Sequence, residues 1–245
     1  MPVFDSTFAI SDWALASLLI VFSACLQGIS GVGFGMVAAP LLALLRPDLV
    51  PGPMLVLGIV IAVLAVAREP KDLDRRGLWF ALAGRLPTSI AAATAMGLMP
   101  LRTLSLLFAG IILLGVVLAA LRISLKPTGE NLFAAGLLSG FMGTMTSVGL
   151  PPVALLYSES PPATLRATIG GYLAVGSLIS MAALGAVGRF GLHDLLLGLW
   201  LLAPLLIGYW LSGPLARRLP KEAARVLTLA LSALAALLLA GRQFI

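Results

Sequence analysis

The amino-acid sequence predicts an all-α polytopic membrane protein. It would consist of two inverted-topology repeats, each opening with a broken or re-entrant helical hairpin followed by three transmembrane helices. Three observations predict this. Hydrophobic residues make up 60% of the chain and charged residues 11%, against roughly a quarter charged in soluble domains. Several uncharged apolar runs approach the ~20 residues needed to cross a bilayer. A glycine-rich interruption also occurs twice: Gly28 and Gly140, Gly31 and Gly143, and Pro40 and Pro152 are each 112 residues apart.

The first element, Trp13–Leu45, is apolar but broken near Gly28–Gly35. Spans follow at Leu49–Ala67, Leu78–Leu98 and Thr103–Leu121. The second half repeats the order: Leu132–Tyr157, broken near Gly143–Gly149, then Thr164–Val187, Leu195–Leu215 and Ala223–Ala240. Residues 1–124 and 125–245 are thus two repeats of one integral membrane unit. Met99-Pro-Leu and Leu219-Pro-Lys both open a last helix.

Loop charges give the sidedness. Arg68, Lys71, Arg75 and Arg76 lie in one loop, and Arg217, Arg218, Lys221 and Arg225 in another. Arg122 and Lys126 mark the junction of the halves. By the positive-inside rule these loops are cytoplasmic, which also accounts for the +6 formal charge without nucleic acid. The loops near Pro47, Pro100 and Arg189 each hold one basic residue and read as external. With those sides fixed, both ends of Leu132–Tyr157 fall inside. At about 26 residues it is too short for two full crossings, so it reads as a re-entrant hairpin of two short helices. Trp13–Leu45 becomes a second hairpin entering from the opposite face. The N-terminus, with Asp5 and Asp12 and no basic residue before Arg46, is external and lacks the basic start of a cleavable signal. The expected setting is a bacterial inner membrane with both termini periplasmic. A lone Cys25 excludes an intramolecular disulfide and a multi-cysteine metal site, and no cofactor is expected.

A broken helix in lipid leaves backbone N–H and C=O groups unpaired at several kcal/mol each, so it survives only when buried in protein or lining a watery cavity. Breaks at matching positions of two halves are the best sequence pointer to a transport site. Second arms that begin at the breaks would aim helix N-termini, with free N–H donors and positive partial charge, at the centre. That suits an anion. The candidate contacts are Gln27, Ser30, Gly31, Gly33 and Gly35 from the first break. From the second they are Ser139, Gly143, Thr144, Thr146, Ser147 and Gly149. The bland reading of the glycines is helix packing, since Gly31-xxx-Gly35 and Gly136-xxx-Gly140 fit the small-xxx-small pattern.

Arg85 lies about nine residues beyond a cytoplasmic loop, roughly 13 Å deep at helical rise. It reads either as an attractor for an anion or as a side chain that snorkels or bonds nearby carbonyls. Arg166, with Glu159 and Tyr157 nearby, sits at the cytoplasmic mouth as a further contact or an interfacial anchor. No Asp or Glu lies in mid-span, which argues against a carboxylate proton relay. A proton or sodium coupling ion stays open, because sodium can bind backbone carbonyls and a substrate can carry its own proton. The expected partners are therefore a small anionic substrate, the lipid bilayer and such a coupling ion; oligomeric state is not legible.

Two other classes compete: an anion channel, and an intramembrane serine hydrolase suggested by the GxSG string Gly28-Ile-Ser30-Gly31. A nucleophilic serine needs a base within reach, and the one histidine, His193, falls beside Asp194 in a predicted external loop. No enzymatic activity is expected.

At these residues the chain resembles the TauE/SafE family, the sulfite exporter group of membrane transporters, over nearly its whole length. The resemblance rests on Gly28-Ile-Ser-Gly-Val-Gly-Phe-Gly with Ala39-Pro40-Leu-Leu, on Ser139-Gly-Phe-Met-Gly-Thr, on Gly149-Leu-Pro-Pro-Val, and on Gly208-Tyr-Trp-Leu-Ser-Gly-Pro-Leu-Ala-Arg-Arg-Leu-Pro. It implies movement of small anions, often sulfur oxyanions or sulfonates such as sulfite or sulfoacetate, and commonly outward. Residues 143–149 depart from it: relatives often carry more glycine where this chain has hydroxyls.

Overall fold

The structure is a computed structural model that describes residues 10–31, 33–68, 70–121 and 125–244. Asp5 and Arg122 of the charge pattern lie outside the described residues. The described residues are all-helical, with no strand. The helices are α1 (Ile10–Ser30), α2 (Phe34–Leu45), α3 (Gly52–Arg68), α4 (Arg75–Leu98), α5 (Leu101–Ala120), α6 (Gly129–Thr146), α7 (Leu150–Leu156), α8 (Pro162–Ala186), α9 (Leu192–Trp200), α10 (Leu202–Leu215) and α11 (Lys221–Gly241).

Among the described residues, five stretches are long and apolar enough to cross a membrane: Ser11–Ser30, Leu101–Ala120, Pro162–Ala186, Leu192–Leu215 and Lys221–Gly241. α3 is shorter, at 17 residues, and α4 is long but carries Arg75, Arg76 and Arg85. The apolar surface faces outward, as lipid requires: Trp79, Leu98 and Trp210 are each more than 70% exposed.

Both interrupted segments fold as hairpins. Gly31 at φ 78 and Gly33 at φ 150 adopt backbone open mainly to glycine, so α1 stops at Ser30 and the chain turns. It returns far enough that Arg46, at the end of α2, stacks over Trp13 near the start of α1, 4.3 Å from the ring centroid. Arg46 also forks onto Asp48 at 2.9 and 2.6 Å. In the second hairpin, Ser147 turns left-handed at φ 62, and its N–H donates to Gly143 O at 2.9 Å. Pro151 and Pro152 then start α7, where missing N–H groups cost nothing. Leu132 near the start of α6 shares a buried cluster with Leu156 and Tyr157 at the far end of α7.

The arms are unequal. The first arms run 21 and 18 residues, the second 12 and 7, so the expectation of two short helices holds only for the returning arms. The span expected at Leu195–Leu215 is divided at Leu201. Pro204, three residues on, has no N–H for the carbonyl a turn behind it. The Leu201 and Leu205 amides still donate across the joint at 3.2 Å.

The helices pack in matching pairs. α4 packs on α6 as α10 packs on α1, and α3 pairs with α8 and α5 with α11. Glycine makes the first two contacts close. A Cβ at Gly136 would collide with the Ala81 carbonyl and one at Gly84 with that of Phe133. In the α1–α10 contact, Gly208 meets Val21 O and Gly28 meets the Ser212 side chain. Helix packing is thus the role of Gly28, Gly136 and Gly140, while Gly31 and Gly35 lie on either side of a break. The spacing between matching positions grows from 112 residues at the breaks to 120 between Pro100 and Pro220. α8, at 25 residues, is eight longer than α3 and absorbs that difference.

Candidate functional site

The two hairpin tips meet. A Cβ on Gly35, in the first turn of α2, would lie 2.9 Å from the Ser147 carbonyl oxygen in the other break. Beside this contact is a cavity of about 60 Å³ lined by Gln27, Gly33, Gly35, Ser147 and Ser177 among others. That is room for a few water molecules, at roughly 10–15 Å³ each by this measure.

Larger cavities lie on either side. One, of about 340 Å³, is floored by Gln27, Gly28, Ser30 and Gly31 and reaches Ser158, Arg166 and Arg225. The other, of about 700 Å³, is lined by Pro47, Leu101, Arg189 and Arg242. They occupy opposite ends of the helices. α5 starts at the larger one, with Leu101 and Leu104, and finishes at the first, with Leu118. α11 runs the other way, from Arg225 and Thr228 to Leu239 and Arg242. Among the described residues, no Asp or Glu lines any of these three cavities, while arginines stand at both outer ones.

The loops expected on the cytoplasmic side gather at the Arg166 end. Asp74 accepts from the Gly77 amide at 2.9 Å, capping α4, and from the Tyr157 hydroxyl at 2.8 Å. Its own amide donates to Thr168 Oγ1 at 3.0 Å. Burial and the Asp74 carboxylate together push the Tyr157 phenol well above the usual tyrosine range.

The polar residues of the first break mostly hold it in shape. Gln27 bridges it, donating from Nε2 to Gly31 O and accepting the Phe34 amide on Oε1, both at 3.0 Å. Ser30 Oγ donates to Leu26 O at 2.7 Å. In the second break Thr146 donates to Met142 O at 2.7 Å and accepts the Val148 amide. Ser147 donates to Pro51 O at 3.0 Å, and Ser139 donates to Gly149 O. Thr144 shares a 2.7 Å bond with Ser180 on α8 and is fully buried within α6. Four of the five hydroxyls expected as donors therefore give their protons to backbone carbonyls.

Arg85 is 1% exposed and lines none of the three cavities. Its Nε donates to Gly176 O at 3.0 Å, Nη1 to Ser139 Oγ at 3.4 Å and Nη2 to Ser180 Oγ at 3.1 Å. The guanidinium also stands 5.2 Å from the Tyr172 ring centroid. It has no carboxylate partner among the described residues. Gly143, Gly149 and Gly176 make room for it: Cβ atoms there would come within 2.8, 3.1 and 2.5 Å of its nitrogens. Arg166 is exposed and lines the 340 Å³ cavity.

Lining residues that escaped sequence reasoning as contacts include Ser177 on α8, Tyr209 on α10, and Arg225 and Thr228 on α11. Their only signal was a hydroxyl or aromatic in an apolar run, or a basic residue already counted as a topology marker. Arg225 donates to Ala119 O at 2.5 Å, tying α11 to α5. Ser30 and His193 are not brought together: Ser30 lines the 340 Å³ cavity, while His193 neighbours Asp194, which abuts Gly52 at the start of α3. No cluster of three or more metal-ligating side chains occurs among the described residues.

No curated protein and no solved structure matches the chain. One family model does, over residues 16–239, and with it the chain belongs to the sulfite exporter TauE/SafE family of multi-pass membrane proteins.

Proposed function

We propose that this protein is a secondary transporter that exports a small anion from the bacterial cytoplasm across the inner membrane. The substrate is a sulfur oxyanion or organosulfonate such as sulfite or sulfoacetate. The observation that carries this reading is the arrangement of the three cavities. The smallest lies where the two breaks touch, the larger two lie on opposite sides, and among the described residues none of the three has a lining carboxylate. Arg166 and Arg225 attract anions at one mouth and Arg189 and Arg242 at the other. Between them, the amides opening α2 offer donors and positive partial charge. Gly33 and Gly35 add no bulk of their own at this helix start, while Gln27 Oε1 takes the Phe34 amide. α7 is too short to contribute comparably.

The halves, 1–124 and 125–245, act as inverted repeats with both termini periplasmic. The opposite directions of α5 and α11, counterparts at the 120-residue spacing, support this reading. Rocking the halves about the Gly35–Ser147 contact would expose the central cavity to each side in turn. Absence of mid-span carboxylates leaves a sodium ion, or a proton carried by the substrate, for coupling.

The test is flux into proteoliposomes. Sulfite, thiosulfate, sulfoacetate, taurine and acetate are offered under imposed pH and voltage gradients. Saturable flux with counterflow of at least one oxyanion is expected. Linear electrogenic flux with no counterflow would make the protein a channel.

A further inference from the structure

The break hydroxyls suggested by the motifs are committed to backbone, so any hydroxyl that helps hold an anion comes from elsewhere. Thr228 on α11 is 1% exposed, and its Oγ1 has no hydrogen-bond partner. Among the described residues Ser89 Oγ and the Tyr172 hydroxyl share that state, but of the three only Thr228 lines one of the cavities. Ser23, Ser30, Thr94 and Ser232 all donate to the carbonyl four residues back, at 2.6–2.8 Å. Ser232 does so to Thr228 itself. Thr228 could do the same toward Ala224 and does not. A buried hydroxyl left unpaired is costly, and such groups in native proteins call for an explanation.

The position of the hydroxyl supplies one. Thr228 lines the 340 Å³ cavity. A Cβ on Gly33 would come 3.1 Å from Thr228 Oγ1 and 3.8 Å from Ser30 Oγ. Gly33 in turn lines the central cavity and forms the N-cap of α2. Thr228 therefore stands at the boundary of the two cavities, beside the N-terminus of α2, with its proton uncommitted. Ser30, next to it, has already given its proton to Leu26 O and keeps only acceptor capacity, which suits no anion.

We propose that Thr228 is a direct ligand-binding residue, donating its O–H to an oxyanion oxygen held at the start of α2. The assignment rests on the transport reading above. It places the last helix of the second half on the break of the first half, so the site is closed by both halves. It also makes binding selective for ligands that offer an oxygen acceptor in line with that hydroxyl.

The test is counterflow of sulfoacetate and of sulfite in proteoliposomes holding the full chain as wild type, T228V, T228S or T94V. T228V keeps the shape of threonine and removes the hydroxyl, T228S keeps the hydroxyl, and T94V removes a hydroxyl that faces outward on α4. T228V is expected to raise KM about tenfold or more, as loss of a charge-assisted hydrogen bond would, with maximal rate changed far less. T228S and T94V are expected within twofold of wild type. Thermal unfolding in detergent separates misfolding from lost affinity, and T228S controls for packing. T228V within twofold of wild type, or T228S as impaired as T228V, overturns the assignment. Wild-type protein without counterflow of either probe overturns the transport reading for these oxyanions and the assignment with it. Counterflow in wild type with T228V unaltered overturns the assignment alone.

Discussion

Replacing Gly35 by alanine tests the contact on which the central site depends. Gly35 is in the first turn of α2 with no positive φ, so alanine is free to adopt its backbone. On helix propensity alone the change stabilises by up to about 1 kcal/mol. Against this, the new Cβ would sit 2.9 Å from the Ser147 carbonyl oxygen and 3.7 Å from a methyl of Val148. The close neighbour is backbone, pinned by the bond from the Ser147 amide to Gly143 O and by that of Ser147 Oγ to Pro51 O. It cannot rotate away. Overpacking of this kind costs about 1–3 kcal/mol. The net expectation is destabilisation by about 1–2 kcal/mol, with transport lost more severely than stability because the tips no longer close. Thermal unfolding in detergent reads the first effect and proteoliposome counterflow the second. A G35A protein that is more stable than wild type and transports normally would show that the tips do not meet, and the central site would go with them.

Other expectations follow from the same geometry. G136A should destabilise by about 2 kcal/mol, because its methyl would enter the Ala81 carbonyl. G97A and G110A, with open space around them, should be neutral or stabilising by up to about 1 kcal/mol; unfolding in detergent ranks all three. S177A should weaken anion affinity severalfold in the same counterflow assay, since Ser177 lines the central cavity. T144V, which breaks only the buried bond to Ser180, should cost about 1 kcal/mol of stability and leave KM unchanged. Burial first, and then the bond to the Asp74 carboxylate, hold the Tyr157 phenol protonated, so its folded-state pKa is raised. Its stabilisation is then fully present below the ordinary tyrosine pKa near 10 and declines as pH climbs toward the folded value. Y157F should lower stability at neutral pH and flatten that alkaline decline, read by unfolding across a pH series.

Much of this was legible in the sequence, and for physical reasons. Apolar length marks spans because lipid offers the backbone no partner. Glycine marks the first break because few other residues enter φ near 78 or 150, as Gly31 and Gly33 do, whereas the second break turns at Ser147 and its glycines serve packing. Side-chain duties were not legible. Ser30 and Ser147 read as donors because hydroxyls near a break suggest a ligand, yet each has a carbonyl within reach that takes its proton. Thr228 was invisible because its partner segment, the first break, lies some two hundred residues away in the chain. The lengths of the arms were equally hidden: α1 is continuous until its first left-handed glycine, and no residue before Gly31 obliges it to stop.

Arg85 shows why the second break need not resemble the first. It brings a full charge that the first break lacks, buried and without a carboxylate, against Gly149. Val148 and Leu150, the neighbours of Gly149, line the central cavity. A unit charge at roughly 8 Å in an effective dielectric of about 20 is worth about 2 kcal/mol. Arg85 can therefore favour an anion in that cavity by its field alone, without touching it. The short α7, whose dipole is weak, is compensated by a fixed cation, and the longer α2 works through its amides. R85M should then weaken anion affinity by about tenfold or more, in keeping with that energy. R85K keeps the charge but loses the fork onto Gly176 O, Ser139 and Ser180; it should lose stability and keep most of its affinity. If R85M matches wild type in KM, the field is irrelevant, and Arg85 serves only to clamp α4 to α6 and α8.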